Sequence, residues 1–182
     1  MPQSFEIPAH VVEAARKVRL LVLDVDGVLT DGGLYYDAHG HIQKRFHVHD
    51  GLGMKMALHG GLQLAVITGL DSAAVRARVT ELGISHYYPG FHHKMDSLSR
   101  ILADENLSLE QAAYLGDDLV DLAPMRAVGL PLAVANARPE ILAQALWVTP
   151  HGGGNGAVRD AVELILRAQG HWESICAHWT NG

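Results

Sequence analysis

The stretch "VRLLVLDVDGVLTDG" (residues 18–32) is apolar enough for a buried strand, yet it ends by delivering Asp24, Asp26 and Asp31. Its apolar part lacks in/out alternation, the pattern of a parallel strand covered on both faces. Residues two apart in an extended chain point to the same side, so Asp24 and Asp26 would share one small volume if extension continues. Two unpaired carboxylates there repel, and one must stay protonated unless a cation intervenes. Oxygen ligands with room for water suit Mg²⁺. Taken alone, the stretch also reads as surface aspartates in a turn after a core strand.

The rest of the chain alternates in the same style. Strand-like runs recur at "RLLVLD", "LQLAVIT", "SHYYP", "QAAYLGD", "LPLAVA" and "ALWVT", separated by helix-like stretches such as "DSAAVRARVTELG", "KMDSLSRILADENL" and "VRDAVELILRAQG". Asp71 with Ser72 is placed to cap one helix and Gly83 to close it. This repetition predicts an α/β fold with a doubly wound, mainly parallel open sheet of Rossmann-like type. The segment "GGLYYDAHGHIQKRFHV" (residues 32–48) breaks the rhythm and predicts an inserted β-hairpin around "DAHG". Residues 1–182 read as a single domain, with a tail from about residue 170 to 182 expected to be mobile.

Sites in open parallel sheets form at the carboxyl ends of the strands, so the other strand ends matter. "LQLAVITG" ends in Thr68; "AAYLGDDLVD" ends in Asp117 and Asp118, with Asp121 one helical turn on; Lys94 opens a helix. An Asp nucleophile, a hydroxyl and an ammonium to hold phosphate oxygens, and carboxylates for a metal together suit phosphoryl transfer. Singly, each position has a plainer reading as a turn residue, a solvated lysine or an acid at a helix start.

Composition narrows the field. A formal charge of −6 argues against a nucleic-acid binder, and no apolar run approaches the roughly 18 residues of a membrane span. No signal-peptide pattern is visible. The single cysteine, Cys176, excludes an internal disulfide framework, suits a cytoplasmic location and reads as a partly buried small hydrophobe. The 12 histidines include His39/His41 and His47/His49, pairs that read as polar hairpin surface or interface because neither comes with Cys or a zinc-type Glu spacing. His92 and His93 directly precede Lys94, but neighbours in extended chain point apart.

"DVDGVLTDG", "VITG", a downstream Lys and "GDDLVD" resemble the four motifs of the haloacid dehalogenase-like phosphatases, over residues 19–169. The resemblance implies that Asp24 attacks phosphorus and that Asp26 acts as acid and then base. It makes Thr68 and Lys94 the holders of the transferring group. Asp24, Asp117 and the Asp26 carbonyl would ligate Mg²⁺, supported by Asp118 and Asp121. Only 43 residues separate Asp24 from Thr68 and 25 separate Thr68 from Lys94, so no cap domain fits. Either the substrate is macromolecular or another subunit supplies the missing wall. The hairpin favours the second choice, because a two-stranded ribbon exposes unpaired edges and gains by pairing with its copies.

"LTDGGLYY", "FHVHDGLGMK", "GDDLVDLAPM" and "GGGNGAVRDAVELILRAQG" look like the capless subfamily that contains the 3-deoxy-D-manno-octulosonate 8-phosphate phosphatases of lipopolysaccharide precursor synthesis. That resemblance implies a homotetramer joined by the hairpin. It places His47, Val48, His49, Asp50, Gly51, Lys55 and Arg78 at the substrate-facing edge, beside Asp26 and Lys94. The chain departs from the subfamily's cationic pattern at Leu70, His49 and Asn155, which keeps a nine-carbon sugar acid phosphate open as substrate. Two other classes, a phospho-acceptor signalling domain and an inactive structural relative, also combine acids, Thr and Lys on an α/β sheet. Asp26 counts against the first, and the complete set of catalytic positions against the second.

Overall fold

The computed structural model describes residues 7–90 and 93–180. Helix α1 (Ala9–Lys17) leads into β1 (Leu20–Leu23), the strand of the opening motif. The hairpin strands β2 (Tyr35–Tyr36) and β3 (Ile42–Gln43) follow, then α2 (Val48–His59) and β4 (Gln63–Thr68). The chain continues through α3 (Ala73–Leu82), β5 (His86–Pro89), α4 (Lys94–Asp104), β6 (Ala112–Gly116), α5 (Leu122–Ala127) and β7 (Leu130–Ala133). It ends with α6 (Pro139–Leu142), β8 (Trp147–Val148), α7 (Ala157–Ala168) and α8 (Trp172–Thr180).

Six strands form one sheet in the order β5-β4-β1-β6-β7-β8, and every pairing in it is parallel. The six apolar runs read from the sequence are these six strands. β1 lies in the middle, in register with β4 through Leu20↔Gln63 and with β6 through Leu20↔Ala112. All four of its side chains are buried, so both faces are covered. Helix α7 packs against α1 and α2, and α4 against α5. The order reverses direction at β1 and β6, which puts the crevice between their carboxyl ends at the switch point where ligands bind such sheets. No described helix is long and apolar enough to cross a membrane.

Local chemistry explains the helix limits. The Ser72 hydroxyl accepts from the Val75 amide at 3.3 Å and starts α3, and Gly83 ends it in the left-handed region at φ 76°. Helix α2 carries Gly51 and Gly53 despite their helix-weakening backbone freedom, and both serve close packing. A Cβ on Gly51 would lie 2.1 Å from Arg78 Nη2, and one on Gly53 would lie 2.9 Å from Arg159 Cδ.

Two boundaries differ from expectation. The hairpin is shorter than residues 32–48: its ladder holds only Tyr35↔Gln43 and Tyr36↔Ile42, with a separate bridge Thr30↔Phe46 at its base, and Val48 already opens α2. The tail, expected to be mobile beyond about Gly170, forms helix α8 instead. Trp172 and Ile175 are buried, and the Trp172 ring is flanked by the Arg159 and Arg167 guanidinium groups at 5.1 and 4.6 Å. Stacking on an indole face is favourable for Arg, so α7 supplies the anchor that the tail sequence alone does not advertise. Trp172→Ala is expected to destabilise the fold by about 3 kcal/mol through lost burial, measurable as a lower urea midpoint.

Candidate active site

The opening motif turns where β1 ends. The Asp24 amide still donates to the Leu115 carbonyl of β6 at 3.2 Å, after which the chain coils through Val25–Leu29 rather than continuing extended. Gly27 makes that turn possible: its φ is +92°, and a Cβ there would fall 2.0 Å from Asp117 Oδ2. The Thr30 hydroxyl closes the turn by accepting from the Gly32 amide at 3.2 Å and donating to the Val25 carbonyl at 3.3 Å. Residues 152–154 press on this loop from outside, with Gly154 N–H donating to Val28 O at 2.9 Å. A Cβ on Gly153 would overlap Gly27 O at 1.6 Å.

Asp24 and Asp26 nevertheless open into one cavity of about 360 Å³, lined also by Thr68, Gly69, Leu70, Lys94, Asp117, Asp118 and Val120. The ends of β1, β4 and β6 and the start of α4 thus deliver every position expected to be catalytic to one place. At its floor, the buried Lys94 ammonium donates to Asp24 Oδ1 at 2.5 Å and to Asp121 Oδ1 at 2.7 Å. Burial pulls the Lys94 pKa down, but Asp24 and Asp121 outweigh it and hold the value above that of an ordinary lysine. The lysine therefore stays charged.

Asp121 is fully committed. Its Oδ1 accepts from Lys94 and from the buried Tyr114 hydroxyl at 2.8 Å, and its Oδ2 accepts from the amides of Asp117 at 3.0 Å and Asp118 at 3.4 Å. Gly116 leaves room for it, since a Cβ there would meet Asp121 Cβ at 2.6 Å. Asp118 is exposed at the cavity's edge, where its carboxylate accepts from the Leu119 amide at 2.7 Å.

Carboxylate oxygens of Asp24, Asp117 and Asp121 lie within 4.8 Å of one another. With all three ionised, the single Lys94 charge leaves two negative charges uncompensated, a match for one divalent cation. Asp117 Oδ1 is buried without a hydrogen-bond partner among the described residues, the mark of an acceptor that a hard cation satisfies. Because Asp121 is spent on four donors, Asp24 and Asp117 are the side chains with ligand capacity. Burial first, then the Asp121 charge, raise Asp24 to about 6 despite Lys94. Burial, with the charges of Asp24, Asp121 and Asp118, pushes Asp117 to about 8.

Of the positions expected to face substrate, Asp26 and Lys94 line this cavity and the others lie elsewhere on the same subunit. Asp50 is buried, with its oxygens accepting from the amides of Gly156 at 3.2 Å and Arg159 at 2.9 Å, so it ties α2 to the start of α7. His47 stacks edge-on against His49 with ring centres 4.9 Å apart. His49 lines a neighbouring groove with Asn155 and His151. Val48, Gly51, Lys55 and Arg78 line another with Trp179, where Arg78 pairs with Glu81 at 2.8 Å. Of the departures from the subfamily pattern, only Leu70 borders the catalytic cavity. His93 is an exposed residue at the start of α4, and His92 lies outside the described residues.

Three contributors escaped sequence reasoning. Tyr114 supports Asp121, and the only sequence signal was a hydroxyl in an otherwise apolar strand. Lys44 and Arg45, on the hairpin's return arm, reach opposite sides of the acidic loop. Lys44 Nζ binds Asp26 Oδ1, while Arg45 Nη1 donates to Asp31 Oδ2 and Asn155 Oδ1, each at 3.3 Å. Strand alternation predicts such divergence for neighbours, but not what each would meet.

A family model of haloacid dehalogenase-like hydrolases matches residues 68–160. The chain is 43% identical over 164 residues to the 3-deoxy-D-manno-octulosonate 8-phosphate phosphatase of Escherichia coli strain K12, covering 90% of this chain and 87% of that one. The chain belongs to the haloacid dehalogenase-like hydrolases. Among solved structures, this hydrolase resembles the 3-deoxy-D-manno-octulosonate 8-phosphate phosphatase of Yersinia pestis with a TM-score of 0.89 at 41% identity, covering 91% and 89% of the two chains. It also resembles the Moraxella catarrhalis phosphatase solved with magnesium, phosphate and KDO, with a TM-score of 0.91 at 39% identity over 93% and 98%.

The raised carboxyls give the hydrolase a signature in stability. A carboxyl that binds its proton more tightly folded than unfolded stabilises the fold while protonated, and loses that contribution as pH rises through its folded value. Without a divalent cation, this part of the stability is complete below the usual 3.8 and is lost through about 6 for Asp24 and about 8 for Asp117. Added Mg²⁺ binds the ionised form, so its thermal-shift effect should be small in acid and grow towards about pH 8. An Mg²⁺-induced shift in melting temperature that is flat with pH would contradict this assignment.

Proposed function

We propose that this hydrolase is a Mg²⁺-dependent phosphomonoesterase that releases phosphate from 3-deoxy-D-manno-octulosonate 8-phosphate, a step of lipopolysaccharide precursor synthesis. The carrying observation is the single cavity in which Asp24, Asp26, Thr68, Lys94 and Asp117 meet. An Asp24 carboxylate oxygen attacks phosphorus, the ester P–O bond breaks, and Asp26 delivers its proton to the departing sugar oxygen. Asp26 then takes a proton from water as the water oxygen attacks the aspartyl-phosphate and frees Asp24. Lys94 and the Thr68 hydroxyl hold the transferring oxygens, and Lys94 meanwhile keeps the nucleophile in place. Asp24, Asp117 and the Asp26 carbonyl would hold Mg²⁺, which supplies charge neutralisation for the phosphoryl oxygens. Asp121, and Asp118 at the rim, support this set.

The protein works as a cytoplasmic homotetramer in this reading. Leu34, Tyr35 and Tyr36 are exposed on a ribbon of two short strands, an arrangement that gains by pairing with its copies. The grooves holding His49, Lys55 and Arg78 would then serve a neighbouring subunit's cavity, since they open outside the cavity of their own.

Phosphate release from 3-deoxy-D-manno-octulosonate 8-phosphate with Mg²⁺ should be fast for the wild type and fall to background in Asp24→Asn. Release from a nine-carbon sugar acid 9-phosphate alone would keep the chemistry and replace the substrate, with apolar Leu70 in the cavity wall the first position to test. No release from either ester would sink the sugar-acid assignment.

A further inference from the structure

Lys44 belongs to the hairpin, yet its side chain is wholly buried and its ammonium binds Asp26 Oδ1. The Thr30↔Phe46 bridge at the base of the hairpin sets the direction of this arm. Arg45, pointing the other way, fastens the arm to Asp31, Gly154 O and Asn155. Lys44 does not line the catalytic cavity, whereas Asp26 does, with about a third of its side chain open. Among the described residues, Lys44 is the only side-chain partner of the Asp26 carboxyl, and no hydrogen bond engages Oδ2.

We propose that Lys44 is a positioning residue for Asp26. By engaging Oδ1 from behind, it fixes the carboxyl's rotation and leaves Oδ2 as the oxygen that gives a proton to the leaving group. A buried lysine whose one hydrogen-bond partner among the described residues is the acid acts through the acid. The hairpin thereby does two jobs, offering an outer apolar face and holding the proton donor from its inner arm. This inference rests on the acid–base reading of Asp26, and its test separates the two.

The test compares two leaving groups. A primary alkyl phosphate such as the sugar-acid ester needs a proton on its departing oxygen, whereas p-nitrophenolate leaves without one. In Lys44→Met, kcat/KM for the alkyl ester should fall about tenfold or more, while kcat/KM for p-nitrophenyl phosphate is unchanged. Asp26→Asn should show the same selectivity in kcat/KM, which reports only the steps up to release of the leaving group, while its kcat falls on both esters because water attack loses its base. Adding Lys44→Met to it should cost nothing further in kcat/KM, as expected when two residues act as one unit. Equal losses on both esters would make Lys44 a substrate or folding residue, and no loss on the alkyl ester would make it idle. Either overturns the proposal. An Asp26→Asn variant that keeps full alkyl-ester activity would overturn the acid–base reading itself. Should a thermal melt show Lys44→Met unfolded, Lys44→Gln, which retains a neutral donor of shorter reach, replaces it and is expected to recover part of the alkyl-ester rate.

Discussion

The active edge of this hydrolase depends on one buried cation. Lys94 sits between Asp24 and Asp121 with almost no exposure, and it makes tolerable a concentration of carboxylates that the sheet would otherwise expel. A charge taken out of water is stabilised only by close, well-aligned partners, and both aspartates provide them. Through Asp121 the effect spreads to Tyr114 on β6 and to the amides of Asp117 and Asp118. Two strands, β1 and β6, and one helix are therefore tied at their ends by a single electrostatic knot. The knot still leaves an excess of negative charge, and that excess is what draws in a divalent cation.

Glycine sets the other constraint. Gly27, Gly116 and Gly153 are places where a methyl group would enter a carboxylate or a carbonyl. They allow the turn after β1, the helix turn after β6 and the loop before α7 to lie almost in contact. Close approach of backbones excludes water from the back of the cavity, and a low local dielectric strengthens each ion pair within it. The same closeness raises the carboxyl pKa values, so compactness and cation affinity have one cause.

Much of this was legible in the chain. Six apolar runs end within two residues of the six strand ends, because strands such as β1, buried on both faces, need no alternation to be recognised. The gathering of Asp24, Thr68, Lys94 and Asp117 in one cavity was legible because sites in such sheets form at strand ends and helix starts. Lys44 was hidden because its meaning depends on a hairpin folding back over residues 25–30. Tyr114 was hidden because periodicity counts an aromatic ring as apolar and is blind to its hydroxyl. The tail was misread because the burial of Trp172 is decided by two arginines on α7. The positions around α2 show the remaining limit: nothing in the sequence around Asp50 signalled that its carboxylate accepts from the amides of Gly156 and Arg159 and ties α2 to α7.

The packing of residues 152–154 against residues 27–31 also orders events during synthesis. β1 carries Asp24 and leaves the ribosome well before its partner strand β6 and the glycine loop, which emerge about 90 and 130 residues after it. Contacts of such long separation form late. A nascent chain can lay down β1, β4 and the hairpin, but the turn holding Asp26 has no outer wall until Gly153 and Gly154 arrive. Catalytic competence thus waits for the glycine loop, and a fragment ending before residue 152 would have a sheet without a working edge.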